Sequence, residues 1–409
     1  MSSTLPAAAD QGIHALLDTP AVQEAFSYFD THAAAITEEL IQINSIPAPP
    51  FGEAERAEFL RQRFSSVGLA EARLDEEGNC IALRPGSAAK PLLVVSAHLD
   101  TVFPVDTDVK PRHVGARLFA PGIADNACGL AALLAVAGAL HSCEIETAGS
   151  ILFVGTVGEE GEGNLRGVRH LLTKSEWAGR IDAFISFDGA GLDRITNGAL
   201  GSRRYRVQFR GPGGHSWSDF GAANPIHALA RAIARLASYP APTDPRTTFN
   251  VGRLEGGQSI NAIPREAFMD VDLRSVSADE LLKLDAYFRR SVREAADEEN
   301  ANLRNGDEPI AVSTDLIGER PGGETAPDDP LVQLAWAATE TVGGKPSHDR
   351  ASTDSNLPIS LGIRAITLGA GGTSANSHTP DEWYDPRGRA LALKRALLVI
   401  LGTVGLECK

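Results

Sequence analysis

Residues able to do chemistry collect where apolar runs end. The run 92–96 leads into Ala97-His98-Leu99-Asp100, the run 151–157 into Gly158-Glu159-Glu160, and the run 183–187 into Asp188. Asp125 stands in Gly122-Ile123-Ala124-Asp125-Asn126, just ahead of an Ala- and Leu-rich stretch, and His378 lies in the polar segment 374–382 that follows a fourth apolar run. In open α/β sheets ligands bind beyond the carboxyl ends of the strands, so these side chains can converge. Two imidazoles and several carboxylates there suit a metal site with borderline ligands, zinc being the leading candidate. No single piece is specific: ten His and 53 acids in 409 residues yield about one H-x-[DE] by chance. Glu159-Glu160 differs from the pairs Glu38-Glu39, Glu76-Glu77 and Glu298-Glu299, which sit in polar contexts suited to solvation. Two carboxylates at the end of a buried strand are costly unless a cation compensates them.

The elements that must hold these groups alternate. Apolar β-runs at 92–96, 151–157, 183–187 and 364–368 are interleaved with helical stretches at 126–140 and 386–404, and helices at 33–43 and 53–66 precede them. Continuous apolar strands between helices predict an α/β fold with a mixed, mostly parallel sheet sandwiched by helices. Residues 203–315 read differently. Strands at 205–209, 247–251, 267–273 and 310–316 bracket two helices. Helix 225–237 carries the stripe Ile226, Leu229, Ile233 and Leu236, and helix 279–296 carries Leu281, Leu284, Phe288 and Val292. That β-α-β-β-α-β order is a ferredoxin-like α+β unit inserted into the larger domain. The expected division is 1–202 plus 316–409 against 203–315, with 297–308 a polar loop.

Composition excludes several partners. With 38 Lys and Arg against 53 Asp and Glu, the net charge is −15, which disfavours nucleic acid and anionic membranes. The longest apolar stretches, 129–140 and 396–406, fall short of a bilayer span. The N-terminus has no basic segment followed by an apolar one, so no signal peptide is expected. Cys80, Cys128, Cys143 and Cys408 lack CxxC spacing, which suits reduced, buried thiols in a cytoplasmic protein. Neither a G-x-S-x-G elbow nor a Walker A sequence occurs, so serine-hydrolase and nucleotide-binding readings fall.

Taken in order, H-x-D, an Asp 25 residues beyond Asp100, Glu-Glu, Asp188 and the distant His-Thr-Pro-Asp-Glu resemble the dizinc exopeptidase and amidohydrolase family of peptidase T, carnosinase, glutamate carboxypeptidase, aminoacylase and acetylornithine deacetylase. The resemblance spans nearly the whole chain. It implies that His98 and Asp188 bind one metal ion, that Glu160 and His378 bind a second, and that Asp125 bridges them. It implies zinc, with cobalt and manganese compatible with the same ligands. Asp100 would accept the other ring N–H of His98. Glu159 would be the general base, taking a proton from water and passing it to the leaving amine. Gly158 stands where many relatives carry Asp, a change expected to loosen the turn.

In the inserted unit, His215 of Gly211-Pro212-Gly213-Gly214-His215-Ser216 resembles the residue that stabilises the oxyanion, often in a partner subunit's site, and a homodimer through this unit is implied. Asn261 and Arg274 resemble substrate contacts, the Arg fork suiting a planar carboxylate. Gly371, within the GAGGT segment 369–373, is a further candidate as a backbone donor. Asp354 is read as a structural hydrogen-bonding group and Glu162 as solvated, while His14, His32, His113, His141, His170, His227 and His348 lie outside the pattern. In such a family an Asp at position 188 accompanies aminopeptidases and dipeptidases, whereas Glu accompanies carboxypeptidases and deacylases. The expected activity is exopeptidase cleavage of short peptides; the alternative is a carboxypeptidase or N-acyl-amino-acid amidohydrolase.

Overall fold

The structure is a computed structural model that describes residues 7–69, 71–303 and 308–407. The chain divides into two compact units, Met1–Ala199 with Glu324–Lys409, and Leu200–Gly323.

The first unit is built on a mixed sheet. Strands Ser150–Thr156, Leu92–His98, Ala183–Phe187 and Arg364–Leu368 lie side by side in that order and run parallel. Cys80–Arg84 flanks them antiparallel on one side and Arg194–Ala199 on the other. The two central strands Leu92–His98 and Ser150–Thr156 are buried along their whole length, as a parallel sheet covered on both faces requires. One face carries Leu93, Val95, Phe153, Ile185 and Ile366 into a core with helices Pro20–Thr31, Ala33–Asn44, Ala54–Ser66, Cys128–Ser142, Pro330–Thr341 and Arg389–Val404. The other face places Val94, Leu152 and Phe184 under helix Arg166–Thr173 and the short helix Asn356–Ser360. Register sets the site: His98 pairs with Thr156 and Leu368 with Phe187, so the last residues of four strands share one rim.

Helices Ala7–Leu17, Pro20–Thr31 and Pro330–Thr341 were not anticipated. The last has a clear local signal, since Asp329 accepts from the N–H of Leu331 and Pro330 occupies the first turn. The helical stretch Ile123–Ser142 outruns the apolar segment 129–140, and by length and composition it could cross a bilayer. Yet 94% of its most apolar window is buried within the fold, so it is a core helix. Cys80, Cys128 and Cys143 are free and buried, and Cys408 lies outside the described residues.

A small antiparallel sheet completes this unit, ordered Thr373–Ala375, Trp383–Asp385, Arg117–Phe119, Arg112–Val114. It joins two distant parts of the chain. The loop carrying His378 connects its first two strands, and the turn carrying Asp125 leaves its third.

The second unit has four antiparallel strands ordered Thr247–Gly256, Glu266–Ser275, Gly201–Arg210, Ala311–Arg320. Helices Pro225–Ala237 and Ala278–Asn300 pack on one face around Tyr205, Val207, Phe209, Met269, Leu229, Leu236, Leu284 and Phe288. The chain order is β-α-β-β-α-β. Three details differ from expectation. Ile226 is exposed, and the buried stripe of its helix runs instead through Ala228, Leu229, Ala232 and Leu236. The second helix continues through Asn300 into the segment read as a polar loop, of which 304–307 lie outside the described residues. The strand Ala311–Arg320 pairs with Gly201–Arg210 along its length, so a boundary at 315/316 cuts it. Its register shift between Leu316 and Gly318 breaks the alternation that would have marked its end.

Candidate metal centre

His98 ends its strand with the ring buried inside the rim. Its Nδ1 lies 3.0 Å from the main-chain carbonyl of Asp100, which can only accept, so Nδ1 carries the proton and Nε2 faces the site. Nε2 lies 3.0 Å from Asp125 Oδ1 and 3.8 Å from Asp188 Oδ1. His378 Nε2 lies 3.0 Å from Asp125 Oδ2 and 3.1 Å from Glu160 Oε1. Each oxygen of Asp125 therefore faces a different imidazole. Ligating atoms of His98, Asp125 and Glu160 all fall within 4.8 Å of one another.

The residues present fit metal ions. Two ligands about 2.0–2.1 Å from a tetrahedral ion are separated by about 3.3 Å, and the donor separations here bracket that value. The charges point the same way. Burial alone would depress His98, yet the carboxylates of Asp100, Asp125 and Asp188 outweigh it and hold the imidazole well above its usual range. Hydrogen bonds donated to the carboxylates of Asp125 and Glu160 push His378 up to about 10. A pocket that pulls protons onto two imidazoles this strongly is short of positive charge, and divalent cations supply it. The set His98, Asp125, Glu160, Asp188 and His378, expected from the sequence, is brought together.

Asp100 differs from expectation. Its carbonyl, not its carboxylate, takes the closer approach to His98; the nearest carboxylate oxygen is 3.7 Å away. The carboxylate instead accepts the N–H groups of Glu159 at 3.0 Å and Glu160 at 2.7 Å. The reason is local: the strand stops at His98, so the two-residue alternation that would align the side chains does not extend to Asp100. Asp100 thus clamps the turn that presents both glutamates. Burial would raise its carboxyl, but His98 and these N–H groups hold it below the usual range.

That turn is packed rather than loose. Gly158 has φ of 67°, which favours glycine, and a Cβ there would meet Arg166 Cγ at 2.6 Å. Leu165 N donates to Gly158 O at 2.8 Å, and Gly163 N donates to Glu160 O at 2.8 Å. Glu159 and Glu160 are both buried in it.

Several supporting residues were not singled out from the sequence for this role. Glu382, fully buried, accepts from the N–H groups of Gly122 at 3.0 Å, Ala124 at 2.8 Å and Asp125 at 3.0 Å, fixing the turn that presents Asp125. Its place at the end of the His-Thr-Pro-Asp-Glu segment was the available clue. Asn126 donates to Phe187 O at 2.8 Å, tying the same turn to the residue before Asp188. Arg56, also buried, donates to Leu99 O at 2.8 Å and Ile46 O at 2.9 Å. Asp354 has the structural role expected, accepting from Thr156 Oγ1 at 2.5 Å beside His98 in the sheet.

The remaining candidates separate. Gly371 does not present a free donor: its N–H reaches Gly191 O at 3.0 Å and its carbonyl accepts from Gly191 N at 3.3 Å. In the second unit Gly214–His215 pairs with Ala262–Ile263, and Ser216 N donates to Asn261 O at 3.0 Å, so His215 and Asn261 are neighbours. His215 Nδ1 lies 3.2 Å from Trp217 N and 3.4 Å from Ser218 N. Those amides can only donate, which leaves the proton on Nε2. Arg274 donates to Asp272 at 2.6 Å and stands eight residues along its strand from Glu266. At about 3.4 Å per residue that is about 27 Å from the end beside His215.

Known proteins show the same frame. A family model described as peptidase family M20/M25/M40 matches residues 94–400. The uncharacterized protein YqjE of Bacillus subtilis is 26% identical over 82% of this chain and 90% of its own length. A succinyl-diaminopimelate desuccinylase of Leptothrix cholodnii is 30% identical over 51% of this chain and 57% of its own. The crystal structure of a tripeptidase from Staphylococcus aureus superposes with a TM-score of 0.76 at 22% identity, covering 90% of this chain and 97% of that one, a likeness of fold. With three quarters of its length matched to that family and a two-metal donor set on one rim, the chain belongs to peptidase family M20/M25/M40, a family of hydrolases.

Proposed function

We propose that this protein is a dizinc exopeptidase that hydrolyses short peptides, as an aminopeptidase or dipeptidase. The observation that carries the reading is Asp125, whose two oxygens face two imidazoles at 3.0 Å each. His98 and Asp188 would hold one ion, Glu160 and His378 the other, and Asp125 both. Bound there, the ions supply a water acidic enough to attack at neutral pH and polarise the scissile carbonyl. Glu159, buried next to Glu160 on the turn clamped by Asp100, would serve as the base, taking a proton from the attacking water and returning it to the leaving amine. His215, with its proton on Nε2, is the donor for the oxygen that gains charge. Asp188 in place of Glu favours the aminopeptidase or dipeptidase reading.

We place the enzyme in the cytoplasm and read the second unit as lid and dimerisation domain. One small ligand cannot touch Arg274 and Asn261 of the same copy if they stand about 27 Å apart. A homodimer in which one copy supplies Arg274 and its partner supplies His215 and Asn261 removes that conflict. A second reading, an N-acyl-amino-acid amidohydrolase or carboxypeptidase, is favoured by the desuccinylase at 30% identity. Free, N-acetylated and C-amidated di- and tripeptides assayed with added zinc, cobalt or manganese separate the two. The expected result is cleavage that requires a free amino terminus; turnover of N-acetyl amino acids without turnover of dipeptides would refute the leading reading.

A further inference from the structure

Phe51 is placed in a way that neither packing nor backbone comfort explains. It sits in the turn Pro49-Pro50-Phe51-Gly52, closed by Gly52 N donating to Pro49 O at 2.8 Å. Its φ is 69°, a conformation disfavoured for a bulky side chain and free of cost for glycine. The ring is 66% exposed, so the core gains little from it. Outliers of this kind concentrate where ligands are gripped.

The ring is tied to the catalytic turn through one side chain. The guanidinium of Arg166 lies 5.0 Å from the Phe51 ring centroid. The stem of the same Arg166 lies against Gly158, the residue before Glu159, where any Cβ would collide with it. The loop is tied on its other side as well: Thr101, next after Asp100, donates through its N–H to Ala48 O at 2.8 Å. The segment that follows Thr101 exposes Val102 and Val105.

Arg166 is not a receptor for an anionic substrate group. Its Nη1 donates to Glu77 O at 2.8 Å and Glu77 Oε1 at 2.9 Å, and its Nη2 donates to Glu53 Oε2 at 2.7 Å. Two glutamates offset its charge, and its remaining role at the surface is to carry the ring. The surface offered beside the Glu159 turn is therefore apolar, with no unpaired cation on Arg166 to hold an anionic group.

We propose that Phe51, supported by Arg166 and extended by Val102 and Val105, sets specificity by receiving a bulky apolar or aromatic side chain of the substrate residue next to the scissile amide. This rests on the hydrolase reading above and adds the substrate class. Dicarboxylic substrates, including succinylated ones, gain nothing from this surface.

The test uses the full chain reconstituted with zinc or manganese and two parallel series, X-Gly dipeptides and N-acetyl-X amino acids, with X as Gly, Ala, Leu, Phe or Asp. Leu and Phe are expected to exceed Gly in kcat/KM by about tenfold or more, chiefly through KM. Phe51→Ala should collapse that ratio by about tenfold and Phe51→Tyr should keep it. Phe51→Gly should lose the ratio with no fall in melting temperature, which separates recognition from folding. An unchanged ratio in Phe51→Ala, or a preference for Asp, overturns the proposal. A ratio lost in the acetyl series, with dipeptides inert, upholds the role of Phe51 and refutes the peptidase reading. Turnover of neither series refutes both.

Discussion

Removing Glu382 should damage the candidate metal centre without touching any of its five candidate ligands. Its carboxylate accepts three backbone N–H groups, those of Gly122, Ala124 and Asp125, at 2.8–3.0 Å inside a fully buried site. Each buried donor left without a partner costs about 1–3 kcal/mol, so Glu382→Ala risks about 3–9 kcal/mol. The lower end applies if water enters the space vacated by the side chain, giving an expected loss of about 4 kcal/mol. Glu382→Gln keeps an oxygen for two of the donors and sets an NH2 group against the third, for an expected loss of about 1–3 kcal/mol. Because one of the three N–H groups belongs to Asp125 itself, metal affinity should fall about 10- to 100-fold. Urea unfolding of the metal-free protein measures the first quantity, and competitive titration with a chromophoric chelator measures the second. If Glu382→Ala unfolded within about 1 kcal/mol of the parent and bound metal as tightly, the turn would not depend on this carboxylate.

Other outcomes follow from the same geometry. Glu159→Ala should lower turnover by about 10²–10⁴-fold with metal content retained, checked by steady-state rates beside elemental analysis; near-normal turnover would remove Glu159 from the role of base. Chelation should lower the melting temperature, since an ion held only by the folded state and present at 1,000 times its Kd contributes about 4 kcal/mol; a scan unchanged by EDTA would show that the donor set holds no ion. Burial pushes Asp354 up to about 6. Its protonated form is favoured in the fold, so this contribution to stability is present below pH ~4 and is lost as pH rises through about 6. Relative to the parent, Asp354→Asn should therefore gain stability between pH ~4 and 7, by about 3 kcal/mol at most; parallel unfolding free energies across that range would contradict it.

The five candidate metal ligands were legible because each adjoins or follows a segment with a strong local signature. Apolar β-runs end at His98, Glu160 and Asp188, and their order with Asp125 and His378 is family-specific. What the ligands rest on was not legible. Glu382 lies about 260 residues from the N–H groups it accepts, and no window of sequence shows that pairing. Asp100 was legible as a member of the site but its contacts were not, because they depend on where the strand stops. Phe51 carried no chemical signal in the sequence; its positive φ and its place over Arg166 come from the loop and a helix more than a hundred residues away. Gly371 shows the reverse error, a glycine-rich segment that suggested open donors and is closed by pairing with Gly191.

Sequence by itself determined the class of sheet and the inserted unit, because hydrophobic periodicity is a local property, and resemblance to a known family supplied the candidate metal-binding groups. Only the tertiary structure decided which oxygen faces which nitrogen, what fixes each turn and which surface is left beside the turn that carries Glu159. Those are set by register between parallel strands and by hydrogen bonds across the small sheet that joins residues 117–119 to 383–385.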